Sequence, residues 1–446
     1  MVAAACGALA ASLSGFADDG SPRVFRAYDF TDSVGVNTHL IHADSFYGTQ
    51  FELMKDRLLS AGIRHIRDGA MDQRGGFFQG DLADRYRELG RAGIRVTFIF
   101  RLSASKEFLQ DFPARVAPAF EAYELPNELN VQNKAWVETL RAWMPAFRQY
   151  VKSNPATASY PIIGPSMADL GNDPYGQLGS EEANLDFGNL HKYYRSYGPA
   201  TSGYGGIGKP PCEGARYGSL AYALCHAAKI SGGKPVICTE SGYGSNGAPK
   251  HVTPEVQAKY IARMLMLHLK AGIRRTFIYQ LADYGTDGFG DFGLLTANGD
   301  EKPAFRELGA LMREMGDMPH PGPPEALPVS MTGDTADVQS LLLRKSDGSY
   351  RLVLWIEKPS YDPKANVGAG DPLDVPAQNV TLSLPPPYRV RRVLTFTASG
   401  VAQTEDASAS SNPFGLGARD NLTVVDIARW PFPEPVPRPP TLIPDG

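Results

Sequence analysis

In the stretch Ala92-Gly93-Ile94-Arg95-Val96-Thr97-Phe98-Ile99-Phe100, a glycine is followed at once by a β-branched and aromatic run. Glycine enters the left-handed conformation that ends a helix without steric cost, and the run after it reads as a buried strand. The tetrapeptide Ala-Gly-Ile-Arg recurs at Ala61-Arg64, before His65-Ile66-Arg67, and at Ala271-Arg274, before Thr276-Phe277-Ile278-Tyr279. Copies beginning at 61 and 92 are 31 residues apart, the length of one strand-helix unit. Copies beginning at 92 and 271 are 179 apart, which holds five units of about 36. The three copies therefore read as the entries to strands two, three and eight of an eight-fold (β/α) barrel, an α/β TIM barrel.

The remaining strands fall between these marks. Ser33 to Thr38 reads as the first, Phe120 to Leu125 the fourth and Pro161 to Gly164 the fifth. Asn184 to Asn189 reads as the sixth and Lys234 to Thr239 the seventh. Thr253-Pro254-Glu255 has a capping hydroxyl, a proline at the first helical position and an acid in the first turn, and it opens the seventh helix. The eighth helix is expected from Lys302 to about Met315. Trp136 and Trp143, seven apart on one helix face, read as core.

Composition changes after Met318. Residues 319–328 begin Pro-His-Pro-Gly-Pro-Pro, a linker that supports neither helix nor central strand. From 329 to 446 come short alternating runs, at Ser340–Leu343, Tyr350–Ile356, Val380–Leu384, Val390–Thr397 and Leu422–Ile427, separated by turn residues. They read as a C-terminal antiparallel β-sandwich ending in a proline-rich tail from Pro431. The barrel is expected over 18–318. Residues 1–17 are small or apolar and end in Gly15-Phe16-Ala17, which suggests a secretory leader lacking its basic start and hence a secreted or periplasmic protein. Cys6 leaves a lipoprotein anchor as a lesser alternative. Cys212 and Cys225 would close a loop disulfide after export, and Cys238 reads as a small buried hydrophobe.

The 446 residues carry 44 basic and 48 acidic side chains with no basic block, so nucleic-acid binding has no electrostatic footprint. No apolar stretch reaches the length of a membrane span. Nothing in the sequence marks an oligomeric state.

Two acidic motifs close strands four and seven: Asn127-Glu128 and Thr239-Glu240. A carboxylate at a buried strand tip is costly to desolvate without a partner or a task. In such barrels the strand tips line the cleft. Two carboxyl groups about 5 Å apart there equip a retaining glycosidase. Glu128 would be the acid/base and Glu240 the nucleophile, with the charge of Glu240 keeping the proton on Glu128. His39 and His191, at strands one and six, are candidates for the sugar site, as are Tyr243 after strand seven and Tyr279 at strand eight. Tyr193, Tyr194, Tyr197 and Tyr204 crowd the loop after strand six, as stacking surfaces or as packing. Asp283, Asp287 and Asp291 recur every fourth residue in a Gly-rich loop; solvated loop acids are the reading preferred over a calcium site. No His/Cys ligand spacing, phosphate loop or nucleophile elbow is present, so neither metal nor cofactor is expected.

Tyr123-Glu124-Leu125-Pro126-Asn127-Glu128-Leu129-Asn130 resembles the strand-four ending W/F-E-I-W-N-E-P-N of clan A glycoside hydrolases, particularly family-39-like enzymes. Pro126 and Leu129 stand where that pattern has Trp and Pro. The resemblance implies that Asn127 binds the sugar 2-hydroxyl, that Glu240 is the nucleophile, and that Arg67 in Arg64-His65-Ile66-Arg67-Asp68 orients it. Gly35-Val36-Asn37-Thr38-His39 resembles the end of strand one and places Asn37 at the site. Leu294-Leu295 through Lys302-Pro303-Ala304-Phe305 resembles the stretch after strand eight. The implied activity is hydrolysis of a β-linked poly- or oligosaccharide. The alternatives are a catalytically silent carbohydrate-binding barrel and a metal-dependent barrel hydrolase; the latter is disfavoured because no His-x-His or ligand cluster ends a strand.

Overall fold

A computed structural model describes residues 23–70, 80–206, 212, 214–284, 290–363 and 370–432. The expected leader and most of the proline-rich tail lie outside them. Eight parallel strands form the barrel: Val34–Asn37, His65–Gly69, Arg95–Ile99, Phe120–Glu124, Ile162–Ile163, Gly188–His191, Val236–Ser241 and Arg275–Ile278. The first pairs with both the second and the eighth, and a bridge from Ile163 to Phe187 joins the fifth strand to the sixth. Gly62, Gly93 and Gly272, the glycines of the repeated tetrapeptide, have φ of 71, 86 and 81°. The repeat thus marks three helix-to-strand junctions, and the fold is a TIM barrel.

Strand six begins later than the sequence pattern suggests. Glu182–Asn184 forms a 3-10 turn, and the Asp186 carboxylate accepts from the Ile162 N–H while pairing with Lys152 and Arg148. Those residues tie strand five to the helix Trp136–Lys152 instead of extending strand six. The seventh helix is Pro254–Lys270, with Thr253 accepting from the Val256 N–H; the eighth is Pro303–Met315. Trp136 is buried, and the Trp143 ring lies 4.7 Å from that of Phe147.

Side chains fill the barrel interior in levels. At the N-terminal end, His65 bridges Asp32 and Glu121, and Arg275 contacts both carboxylates. Glu121 reaches this cluster because the register with strand three slips there: Val96 faces Phe120 and Thr97 faces Ala122. Above lies an apolar level of Ala122, Ile163, Ile237 and Phe277. Gly35 leaves room for it, since a Cβ there would come within 2.5 Å of the Phe277 ring. The third level, at the C-terminal end, holds the polar residues of the cleft.

The C-terminal region forms a six-stranded and a three-stranded sheet facing each other. Besides the expected runs it contains Ser330–Gly333, the fully exposed Ala402–Asp406 and Phe414–Ala418. Val24–Arg26 runs parallel to Val338–Arg344 at the edge of the larger sheet, so the chain enters through the sandwich before building the barrel expected from residue 18. Three residues carry no periodicity, and only pairing defines this strand. One apolar cluster spans both parts, joining Leu311 and Met315 to Leu343, Val353 and Trp355. Arg263, fully buried on the seventh helix, donates to the carbonyls of Ile356 and Lys358 and to Ser360 Oγ. A buried guanidinium needs such a set of acceptors, and this one fastens the sandwich to the barrel. No described helix is long and apolar enough to cross a membrane.

Candidate active site

Arg67, from strand two, organises the cleft floor. Its Nε and Nη2 donate to the two Glu124 carboxylate oxygens at 2.7 and 2.8 Å. Nη1 donates to Glu240 Oε1 at 2.7 Å and to Asn37 Oδ1 at 2.9 Å, and Nη2 donates to Asn127 Oδ1 at 2.6 Å. A planar fork with five donors meets two carboxylates and two amides, which a lysine could not do. Glu124 is fully buried and is completed by Asn189 Nδ2 and the Thr239 hydroxyl. Asn37 is tied down in turn by donating to the Thr239 carbonyl at 3.1 Å.

Glu240 is 9% exposed. Its Oε2 accepts from the Tyr193 hydroxyl at 2.8 Å. Burial would raise its carboxyl, but His191, Arg67 and the Tyr193 hydroxyl outweigh that and hold it below the ordinary carboxylate range. A carboxylate so held is anionic at neutral pH. Gly242, two residues on, permits the close approach of strands seven and eight: a Cβ there would lie 2.1 Å from the Tyr279 carbonyl oxygen.

Glu128 stands opposite, at the tip of strand four. Its backbone is left-handed, with φ 46 and ψ 41°, a conformation that costs a non-glycine residue roughly 1–3 kcal/mol. The turn is held by its N–H, which donates to the Ser166 carbonyl and lies 3.2 Å from Ser166 Oγ. This strained turn connects the strand to the short helix Leu129–Gln132 and sends the carboxyl to His191, whose Nδ1 is 2.7 Å from Glu128 Oε1 and 3.5 Å from Glu240 Oε2. One oxygen of Glu128, one of Glu240 and a nitrogen of His191 all lie within 4.8 Å of one another. Among the described residues this is the one set of three potential metal-ligating atoms. His191 and Glu128 already lie at hydrogen-bond distance, and Arg67 and Tyr193 take up the Glu240 oxygens, so the set fits a proton network better than a cation.

The structure therefore brings together Asn37, Arg67, Asn127, Glu128, His191 and Glu240. Tyr279 borders the same cleft, its ring 6.3 Å from Tyr193 and 5.8 Å from His39. His39 stacks at 5.4 Å on Tyr284, with Gln280 beside it. Burial, then the neighbouring His42, lowers its pKa to about 4, so it is a neutral ring at pH 7. Tyr243 lies elsewhere: 1% exposed, it stacks on Tyr194 and packs at a tilt against Tyr260 behind the strand wall. Tyr197 and Tyr204 stack on each other at 5.0 Å, leaving Tyr193 as the member of the tyrosine group that touches a site carboxylate. Its signal was alternation: once strand six reaches His191, residue 193 falls on the same side. Asp283 pairs with Lys302, and Asp291 accepts from the N–H groups of Ser245 and Asn246 and meets His251. Both fasten loops. Asp287 lies outside the described residues. Cys212 and Cys225 form a disulfide, and Cys238 is a buried free thiol.

No protein-family model and no curated protein matches the sequence. Among solved structures, the chain is similar to a family 39 glycoside hydrolase from the gut symbiont Bacteroides cellulosilyticus, with a TM-score of 0.59 and 15% identity over 92% of this chain and 83% of that one. It is also similar to the catalytic domain of GH30 xylanase C from Talaromyces cellulolyticus, with a TM-score of 0.52 and 11% identity over 89% of this chain and 96% of that one. At such identities the likeness is one of fold, and that fold is the one the family-39-like motifs imply.

Proposed function

We propose that the protein is a retaining glycoside hydrolase that cleaves a β-linked poly- or oligosaccharide by double displacement. The observation that carries this reading is the approach of Glu128 and Glu240 to within 4.8 Å, at the tips of strands four and seven. Retaining enzymes hold their carboxyl groups about 5–5.5 Å apart, whereas inverting enzymes leave about 6.5–9.5 Å for a water. The shared fold with a family 39 glycoside hydrolase supports the same class, by analogy of fold.

Each carboxyl has the surroundings its step requires. Glu240, anionic and aimed by Arg67 and Tyr193, attacks the anomeric carbon. Glu128, which pairs with His191 and with no arginine among the described residues, gives its proton to the leaving oxygen. Once the sugar is bonded to Glu240 the negative charge is gone, and Glu128 accepts a proton from the water that hydrolyses the intermediate. Proton transfer of this kind contributes about 10²–10⁴ in rate. Asn127 Oδ1 is held by Arg67, which turns its amide N–H groups outward to meet a sugar hydroxyl. The neutral ring of His39 offers a second polar contact at the cleft wall. No cofactor has a part in this scheme. The Cys212–Cys225 disulfide supports export to an oxidising compartment.

The test is a panel of β-glycans digested by purified protein, with product anomers followed by NMR. A β-anomer as first product supports the assignment, and an α-anomer defeats it. A protein that binds glycans without turnover, unaffected by Glu128→Ala, is the silent barrel instead.

A further inference from the structure

Asn189 donates both amide hydrogens, to Glu124 Oε1 at 3.0 Å and to the Gly164 carbonyl at 2.8 Å. Its Oδ1 therefore faces Thr239 Oγ1, 2.7 Å away, as an acceptor. Glu124 Oε1, 3.1 Å from the same hydroxyl, is an acceptor too. Thr239 owns one hydrogen, and both of these neighbours take it rather than give one. The remaining neighbour, His191 Nε2 at 3.0 Å, must then be an N–H that donates to the Thr239 oxygen. Thr239 and Glu124 are 0% exposed and Asn189 2%, so the set is closed within the barrel.

With Nε2 protonated, the 2.7 Å contact between His191 Nδ1 and Glu128 Oε1 is attractive when a further proton lies between them. We propose that Thr239 is a positioning residue: through the tautomer of His191 it keeps the leaving-group proton on Glu128. This rests on the glycosidase reading above. Loss of that proton leaves two arrangements. A bare Nδ1 would oppose the Glu128 carboxylate lone pair to lone pair. Alternatively, an Nδ1–H would leave a bare Nε2, and the Thr239 hydrogen would have to abandon Asn189 and Glu124 to serve it. The hydroxyl makes the second route costly, and the first is costly by itself, so the geometry favours a proton between His191 and Glu128. Facing His191 are Glu128 from strand four and Glu240 from strand seven. Arg67 and Glu124 lie one contact beyond, and Tyr193 reaches Glu240 from the strand-six side. All of these persist when only the hydroxyl is removed.

The experiment compares Thr239→Val with Thr239→Ser. With a β-glycoside bearing a poor alkyl leaving group, T239V should move the alkaline limb of the kcat/KM profile down by roughly one pH unit, the tenfold that one hydrogen bond supplies in a proton equilibrium. T239S should restore the limb. An activated aryl glycoside, which needs no acid, should show no such movement. Independently of turnover, the ¹⁵N imidazole shifts of the native protein should report His191 with hydrogen on Nε2. A folded T239V whose limb does not move, or a native His191 protonated on Nδ1 alone, overturns the proposal. The ¹⁵N result decides it even where T239V fails to fold. Should Glu128→Ala and Glu240→Ala leave hydrolysis intact, the glycosidase assignment itself falls; should they abolish it while the T239V limb stays put, only the role of Thr239 does.

Discussion

At the N-terminal end of the barrel, two carboxylates, Asp32 and Glu121, are shared among Arg274, Arg275 and His65. At the C-terminal end three carboxylates, Glu124, Glu240 and Glu128, meet one arginine, Arg67, and one histidine, His191. The residue types are the same and the ratio is reversed. Below, cations are enough to neutralise both acids, and contact with His65 and Arg275 holds the Asp32 and Glu121 carboxyls below their ordinary range despite burial. Above, Arg67 is taken up by Glu124 and Glu240, and Glu128 meets a histidine instead. Carboxylates outnumber cations in the cleft cluster, and cations outnumber carboxylates in the lower one.

The comparison can be broken most decisively at the upper end. Glu240→Ala should reduce turnover by roughly 10⁴–10⁶, the scale seen when a nucleophile is removed, with thermal stability close to the parent in a melting curve. Glu128→Ala should cost about 10²–10⁴ on a substrate with a poor leaving group and far less on the formation of the intermediate from an activated aryl glycoside, read as a burst. At the lower end the effect should pass to stability. Arg275→Met leaves Asp32 and Glu121 short of a cation, and removing one partner of a buried pair costs about 3–5 kcal/mol. Denaturant titration should show that loss while kcat per folded molecule stays unchanged. A fall in kcat there would mean that the two clusters are coupled through the apolar level between them.

The smallest effect sharpens the same contrast by pH. Because the folded Glu121 carboxyl lies below its ordinary value, its contribution is complete above the unfolded range near pH 4 and is lost as pH falls through the folded value. Glu121→Gln should therefore be less stable than the parent at pH 7, and the two denaturation midpoints should draw together on acidification. Midpoints that stay equally far apart down to low pH would remove the ion pairs from the explanation.

Much of this was legible in the residues. The glycine of Ala-Gly-Ile-Arg needs a left-handed turn wherever it occurs, so three strand entries could be placed from local chemistry. Asn127-Glu128 and Thr239-Glu240 end apolar runs and stand out because buried strands rarely finish in acids. Tyr243 shows the limit: a tyrosine two or three residues past a strand tip can turn to the cleft or to the wall, and here the Tyr194 and Tyr260 rings take it. Strand six was misplaced by a few residues because Asp186 is claimed by Lys152 and Arg148, contacts with no local signature. That slip also hid Tyr193. Val24–Arg26 was invisible for a related reason, since its pairing partner lies over three hundred positions away.

The amino-acid order alone determined which segments become strands and which glutamates end them, because helix termination, β-branching and the cost of a buried charge act within a few residues. Only the closed barrel decided what those glutamates face. Whether a carboxyl meets Arg67, His191 or nothing depends on side chains from five strands converging on a few ångströms, and that convergence is set by strand register and by the room that Gly35 and Gly242 leave.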